Sequence, residues 1–145
     1  MKIKEILRRK GATVHTITPD STVQDAITLL VKHNIGGLIV REKGGGIVGI
    51  ITERDILRQC ASETHDPEGT LVSDAMTKEL IIGVPDDDLT YVMGIMTKNR
   101  IRHLPVLNGE KLEGIISIGD VVNAHLRETE FENRLLKDYI HGIQK

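Results

Sequence analysis

Two copies of one structural unit are written into this chain. Residues 49–56 read GIITERDI, and residues 114–121 read GIISIGDV, 65 positions later. Upstream, residues 17–40 (ITPDSTVQDAITLLVKHNIGGLIV) align with residues 83–106 (GVPDDDLTYVMGIMTKNRIRHLPV) at an offset of 66. Pro19 meets Pro85, Asp20 meets Asp86 and Ile35 meets Ile101, while Val23, Ala26, Ile27 and Leu30 fall on Leu89, Val92, Met93 and Met96. The offset drops by one because the turn after Val40 is one residue longer than the turn after Val106. A length change confined to a turn is what duplication and drift leave, since loops absorb insertions. Any fold for this chain must use the same element order twice.

Periodicity sets that order. The segment VHTI (14–17) alternates as a short strand ending at Thr18-Pro19. Ser21 is the expected N-cap of the next helix, with Gln24 completing a capping box, and Asp87 holds the same place in the second copy. Apolar residues at i, i+3, i+4 and i+7 give the helix one buried face. Asn34 and Asn99 mark its ends, Asn being tolerant of left-handed geometry. IGGLIV and IRHLPV read as apolar strands, and GIVGII and KLEGII as their hairpin partners across a glycine-containing turn. Thr52 and Ser117 then open a second helix. The predicted fold is α/β (α+β): two β-α-β-β-α repeats packed face to face with pseudo-twofold symmetry, plus a C-terminal helix. The expected divisions are a first repeat at 1–62, a polar connector at 63–70, a second repeat at 71–126 and a helical extension at 127–145. In the preamble to each repeat, Ile3, Ile6 and Leu7 echo Val72, Ala75 and Met76.

Composition excludes several kinds of function. A formal net charge of −2 gives no electrostatic ground for nucleic acid or an anionic membrane as partner. With no Trp, one Phe and two Tyr there is no stacking platform for single strands. Any bound purine must lie between aliphatic groups. The single cysteine, Cys60, rules out an internal disulfide and a Cys-rich zinc site, and its helical spacing from Ile56 and Leu57 predicts a buried thiol. The six histidines show no metal-ligand spacing, and none stands where a triad with Ser117 or Thr52 would need it. GGG at 44–46 lacks the Lys-Ser/Thr of a phosphate loop and reads as a hairpin turn, while RRK at 8–10 reads as a helix C-terminus, where cations are favoured. The expected chain is not an enzyme. Lacking a signal-peptide pattern or a bilayer-length apolar run, it is expected in the cytoplasm.

The chemistry is concentrated at Thr52-x-x-Asp55 and Ser117-x-x-Asp120. One reading is purely local: the aspartate reaches back to the cap N–H, and the box stabilises the helix by roughly 0.5–2 kcal/mol. The other uses the same atoms for a ligand. A helix N-terminus attracts phosphate and the hydroxyl adds a donor. A carboxylate one turn on accepts from both hydroxyls of a ribose, at roughly 1.5–3 kcal/mol per charge-assisted bond. The two readings are compatible. Gly36-Gly37 either admits a ligand to bare backbone or lets a helix pack closely, and Pro105 points to a strand edge or a ligand-facing position.

The sequence resembles a tandem pair of cystathionine-β-synthase (CBS) domains, of the stand-alone bacterial kind. The resemblance rests on GIITERDI and GIISIGDV, which fit the signature Gly–apolar–x–Thr/Ser–x–x–Asp, on the RHLPV strand, and on the TPD and PDD helix starts. It covers about residues 3–126. It implies a regulatory module that reports energy or redox charge through dimer geometry, binding AMP or a related adenine nucleotide (NAD or ATP) with no required cofactor and acting on an unidentified regulated protein. It implies a first site at Gly37, Leu38, Thr52, Arg54 and Asp55, with the Thr16 backbone reading the adenine edge. It implies a second at Ser117, Ile118, Gly119 and Asp120, with Arg102, His103 and Pro105 on the neighbouring strand and the two cations holding phosphate across a shared cleft. Glu53-Arg54 in one copy faces Ile118-Gly119 in the other, so the Asp120 site is expected to favour AMP-like ligands. The Asp55 site is expected to take a bulkier dinucleotide or bind less tightly. The competing expectation is a scaffold in which both motifs are only capping boxes. Beyond Asp120, apolar residues at Leu126, Phe131, Leu135, Leu136, Tyr139 and Ile140 extend past the repeat, and predict a homodimer contact.

Overall fold

The structure, a computed structural model, describes residues 1–11 and 13–142. Its elements are α1 (Ile3–Lys10), β1 (Thr16–Ile17), α2 (Val23–His33), β2 (Gly37–Arg41), β3 (Ile47–Thr52), α3 (Glu53–Cys60), α4 (Val72–Ala75), α5 (Leu89–Asn99), β4 (His103–Asn108), β5 (Lys111–Ser117) and α6 (Ile118–Gly142). The fold is mixed α/β, with the β-α-β-β-α order in the first repeat and a C-terminal helix. Backbone contacts divide the chain into a continuous unit, Thr13–Ile81, and a discontinuous one that joins Met1–Ala12 to Ile82–Lys145.

In the continuous unit β1 runs parallel to β2, and β2 antiparallel to β3, in the order β1-β2-β3. Its core gathers Ile17, Ala26, Leu30, Leu38, Val40, Ile51 and Val72. In the discontinuous unit β4 pairs antiparallel with β5, and the counterpart of β1 shrinks to one parallel bridge, Gly83 to Val106. The bridge corresponds to the Ile17–Val40 pair, and the missing pair would have matched Ile82 with Pro105. Pro105 has no N–H with which to continue that ladder. Glycine is also needed at 83, where a Cβ would lie 2.8 Å from Leu104 Cδ2.

Helix caps fall one residue later than the sequence suggests. Ser21 closes a turn, its amide donating to the Thr18 carbonyl at 3.1 Å and its hydroxyl paired with Thr18 Oγ1 at 2.8 Å. The cap therefore passes to Thr22, which forms the box with Asp25. Asp87 is occupied in the same turn, its carboxylate accepting from the Val84 amide at 2.9 Å, and Asp88 becomes the N-cap. Asn34 does end α2 in left-handed geometry (φ 51°). In the second copy that position is Arg100 (φ 54°), not Asn99, whose side chain donates to the Ile95 carbonyl at 2.9 Å. The GGG turn closes through Glu42 and Gly46, whose backbone bond is 3.1 Å long.

Each preamble helix docks on the repeat it does not precede. In α1 the amides of Ile3 and Lys4 donate to the carbonyls of Asp87 and Pro85 (3.0 and 3.1 Å). In α4 the amides of Val72 and Ser73 donate to Ser21 and Pro19 (2.8 and 3.0 Å). Ile3 and Val72 are both fully buried. The docking explains the glycine that opens each signature segment. A Cβ at Gly49 would lie 2.7 Å from Met76 Sδ and 2.8 Å from the Thr77 carbonyl; at Gly114 it would lie 2.6 Å from Leu7 Cδ2. The resemblance between the preambles is thus a resemblance of packing roles, with Leu7 and Met76 against equivalent glycines.

The extension at 127–145 is continuous with the last helix of the second repeat: α6 runs unbroken over 25 residues, about 37 Å at 1.5 Å per residue. Residues 143–145 of that extension lie outside the described residues. Among the described residues no helix is long and apolar enough to cross a membrane. Cys60 is exposed rather than buried. It is the last residue of an eight-residue helix whose one buried residue is Asp55.

Candidate nucleotide-binding corners

Each corner is formed where a hairpin strand turns into a helix. Gly37 stands across β2–β3 from Thr52, and His103 across β4–β5 from Ser117. The first helical amide is taken by the strand behind it: Glu53 N–H donates to the Gly36 carbonyl at 3.0 Å, and Ile118 N–H to the Arg102 carbonyl at 2.8 Å. The structure therefore brings together Gly37, Thr52, Arg54 and Asp55 in one unit and Arg102, His103, Ser117, Ile118, Gly119 and Asp120 in the other. Leu38 is fully buried and belongs to the apolar core. Thr16 lies exposed on β1 opposite Ile39, and Pro105 is buried opposite Ile115.

Both corners form the capping box, with different degrees of closure. At the first, Asp55 Oδ2 accepts from Thr52 N–H at 2.9 Å and from Thr52 Oγ1 at 3.1 Å. Its other oxygen accepts from Thr77 Oγ1 at 2.9 Å and from Arg58 at 3.3 Å. The residue is 3 % exposed. Four donors on both oxygens satisfy a buried carboxylate, as burial demands.

At the second corner, Asp120 Oδ2 accepts from Ser117 N–H at 2.9 Å and from the Lys10 ammonium at 2.7 Å, while Asp120 N–H donates to Ser117 Oγ at 3.1 Å. Lys10 is held in place by a second bond, to the Ile115 carbonyl at 2.8 Å. The Asp120 side chain stays 24 % exposed. Burial alone would push its pKa upward, but the bonds from Lys10 and Ser117 outweigh it and hold the carboxyl below its usual range. The carboxylate is ionised at neutral pH. The Ser117 side chain shares in holding the Asp120 charge, while the Gly119 amide has no partner among the described residues. This corner presents a partly exposed anionic acceptor beside one unused amide donor.

Lys10, Thr77 and Arg58 complete the corners, and none was singled out by the motif. Arg58 carried a signal, its i+3 spacing from Asp55. Lys10 and Thr77 carried none as ligands of the aspartates, because their roles depend on which repeat each preamble docks against. RRK does end α1 as its charge suggests; Lys10 adds the reach to Asp120. Among the described residues no group of three or more His, Cys, Asp or Glu is placed to hold a metal.

Comparison with known proteins agrees with this architecture. The family model for the CBS domain matches residues 3–62 and 72–127. A mitochondrial CBS-domain-containing protein of Arabidopsis thaliana is 38 % identical over 148 residues, covering 97 % of this chain and 72 % of its own. Among solved structures, a CBS-domain-containing protein of Agrobacterium tumefaciens superposes with a TM-score of 0.83 at 39 % identity, covering 86 % of this chain and 99 % of that one. A hexameric CBS-CP12 protein from bloom-forming cyanobacteria gives a TM-score of 0.74 at 34 % identity, over 84 % of this chain and 69 % of that one.

Proposed function

Since this chain belongs to the CBS-domain family, as a tandem pair, we propose that it is a non-enzymatic regulatory module that binds an adenine nucleotide at the Ser117–Asp120 corner. The observation that carries this reading is the ionised, partly exposed Asp120 carboxylate at the start of α6, beside the Ser117 hydroxyl and the unpartnered Gly119 amide. Ribose hydroxyls donate to the carboxylate. Phosphate oxygens accept from the hydroxyl and the amide at the positive end of α6. Arg102 is exposed beside the corner and adds positive charge. An AMP-like ligand suits a corner whose first two helical positions, Ile118 and Gly119, are small or uncharged and leave room at the helix end; ATP and NAD are the larger alternatives.

The Thr52–Asp55 corner takes a different part. Its carboxylate already has four donors, so a ribose must displace protein bonds to reach it. Weak or no nucleotide binding there follows. At this corner the capping role is sufficient.

Regulation requires that the ligand favour one of two states, and α6 supports association as the variable. Phe131, Leu135, Leu136, Tyr139 and Ile140 are each more than half exposed. The helix is acidic at Glu128, Glu130 and Glu132 and basic at Arg134 and Lys137. Antiparallel pairing with the same helix of a second copy covers the apolar residues and sets acids against bases. The cyanobacterial CBS-CP12 protein is hexameric, which supports self-association as the variable here.

Isothermal calorimetry with AMP, ATP, NAD and S-adenosylmethionine tests the reading, alongside product analysis and sedimentation. The expected result is one strong site, no turnover, loss of AMP binding by at least about tenfold in Asp120→Ala, corresponding to about 1.4 kcal/mol, and a dimer. Absence of binding by all four ligands favours a scaffold; a monomer at tens of micromolar removes the α6 contact.

A further inference from the structure

Beside the strand-to-helix turn, and sharing Lys10 and Asp120 with it, α1 and α6 line an open groove of about 240 Å³. This is several times the ~30 Å³ that one water occupies in the liquid. Its lining includes Ile6, Arg9 and Lys10 from α1 and Asp120, Asn123 and Arg127 from α6. The spacings 6, 9, 10 and 120, 123, 127 place each set on one helical face. Three cations meet a single carboxylate, and that carboxylate is bonded to Lys10. Arg9, Arg127 and Asn123 have no hydrogen-bond or ion-pair partner among the described residues. Nearby Glu128 is occupied by the Met1 amine at 2.9 Å, and so does not neutralise the arginines.

Two guanidiniums without partners in one concave site are poorly explained by stability, because like charges brought together repel. Their donors are free to meet an anion that enters the groove. A guanidinium presents paired N–H donors that match two phosphate oxygens, and the Asn123 amide adds a donor. We propose that the α1–α6 groove is an anion site for a small phosphate-bearing molecule, read by Arg9, Arg127 and Asn123 and adjoining, through Asp120, the turn that is proposed to read a ribose. The Lys10–Asp120 bond forms its floor and places a ligand there in contact with both helices.

The probe is inorganic pyrophosphate, titrated calorimetrically into the full chain at fixed ionic strength, with sodium chloride as the control. Saturable binding with a Kd below about 1 mM is expected. Arg9→Gln and Arg127→Gln should each weaken it by about fivefold to twentyfold, and the double variant should abolish it, with circular dichroism and thermal midpoint unchanged because both side chains are exposed. No saturable heat, an equal response to chloride, or unaltered affinity in the double variant overturns the proposal. AMP titrations in parallel separate the two sites. Binding of AMP without pyrophosphate ends this inference and leaves the nucleotide reading standing; pyrophosphate without AMP does the reverse.

Discussion

The two aspartates of the repeat occupy equivalent positions and live in different chemistry. Asp55 is 3 % exposed and takes its non-local bond from a neutral hydroxyl, Thr77. Asp120 is 24 % exposed on its side chain and takes its non-local bond from an ammonium, Lys10. Both partners arrive from the docked preamble. The short α4 ends at Ala75, and Thr77 then forms a bridge with Ile50 on β3. The longer α1 runs on to Lys10. A difference of one helical turn thus turns one corner into a sealed structural joint and leaves the other ionised and accessible. The lesson is that a duplicated motif fixes backbone geometry twice, while its surroundings decide which copy stays available for a ligand.

The largest test is to remove each carboxylate. Asp55→Ala strands the half-buried Thr52 amide and Thr77 hydroxyl and should cost about 2–4 kcal/mol of unfolding free energy, against about 1 kcal/mol for Asp120→Ala. Urea denaturation measures both. AMP affinity should move in the opposite order, falling for Asp120→Ala and staying within about twofold for folded Asp55→Ala. Equal loss of affinity in the two variants would collapse the distinction.

The opening glycines sharpen it next. Gly49→Ala meets backbone, the Thr77 carbonyl, as well as Met76, whereas Gly114→Ala meets only the movable end of Leu7. Overpacking should cost about 2–3 kcal/mol at 49 and nearer 1 kcal/mol at 114. A smaller penalty at 49, read by thermal unfolding, would contradict the tight docking of α4.

A third test removes the ammonium. With the Asp120 pKa depressed in the folded state, its stabilisation is present above the unfolded value near 3.8 and is lost as pH falls through the lower folded value. Lys10→Met should raise that pKa, shift the acid-unfolding midpoint upward and cost up to about 1 kcal/mol at neutral pH, as a partly exposed pair allows. Carboxyl NMR titration reads the shift directly; an unmoved pKa would remove Lys10 from the corner.

The smallest effect belongs to His33, whose ring stacks on His15 with centroids 3.7 Å apart. Burial first, then His15 and Lys32, lower its pKa. Protonation is therefore less favourable in the folded chain, and stability should fall slightly as pH drops through the histidine range. His33→Ala should flatten that slope, measured by melting between about pH 5 and 7.

What the sequence made legible was whatever depends on neighbours in the chain. The amphipathic helices, the hairpins and the Thr52 and Ser117 corners are local patterns, and they form as written. The cap positions shifted because Ser21 and Asp87 spend their side chains on a turn, a competition that spacing alone cannot rank. The shrunken first strand of the second repeat was written in Pro105, but only together with the knowledge that its missing N–H lies on the edge of β4 where Gly83 bonds to the Pro105 carbonyl and the Leu107 amide. Lys10 and Thr77 escaped notice entirely, since their contacts are set by long-range docking. Leu38 shows the converse: adjacency to a signature strand made it a site residue, whereas its side chain points into the core.

The exchange of preambles also has a temporal side. Chains fold in large part as they are synthesised, N-terminal segments first. The continuous unit is complete once residue 81 is available. The first helix, eight residues long and marginal by itself in water, finds its docking surface only after the second repeat exists, and its Lys10 bonds a residue 110 positions away. A nascent or prematurely ended chain can thus hold a finished first repeat while presenting no Asp120 corner at all. The Asp120 corner is the last part of the molecule to be assembled, which makes its formation a report that the second repeat has been made.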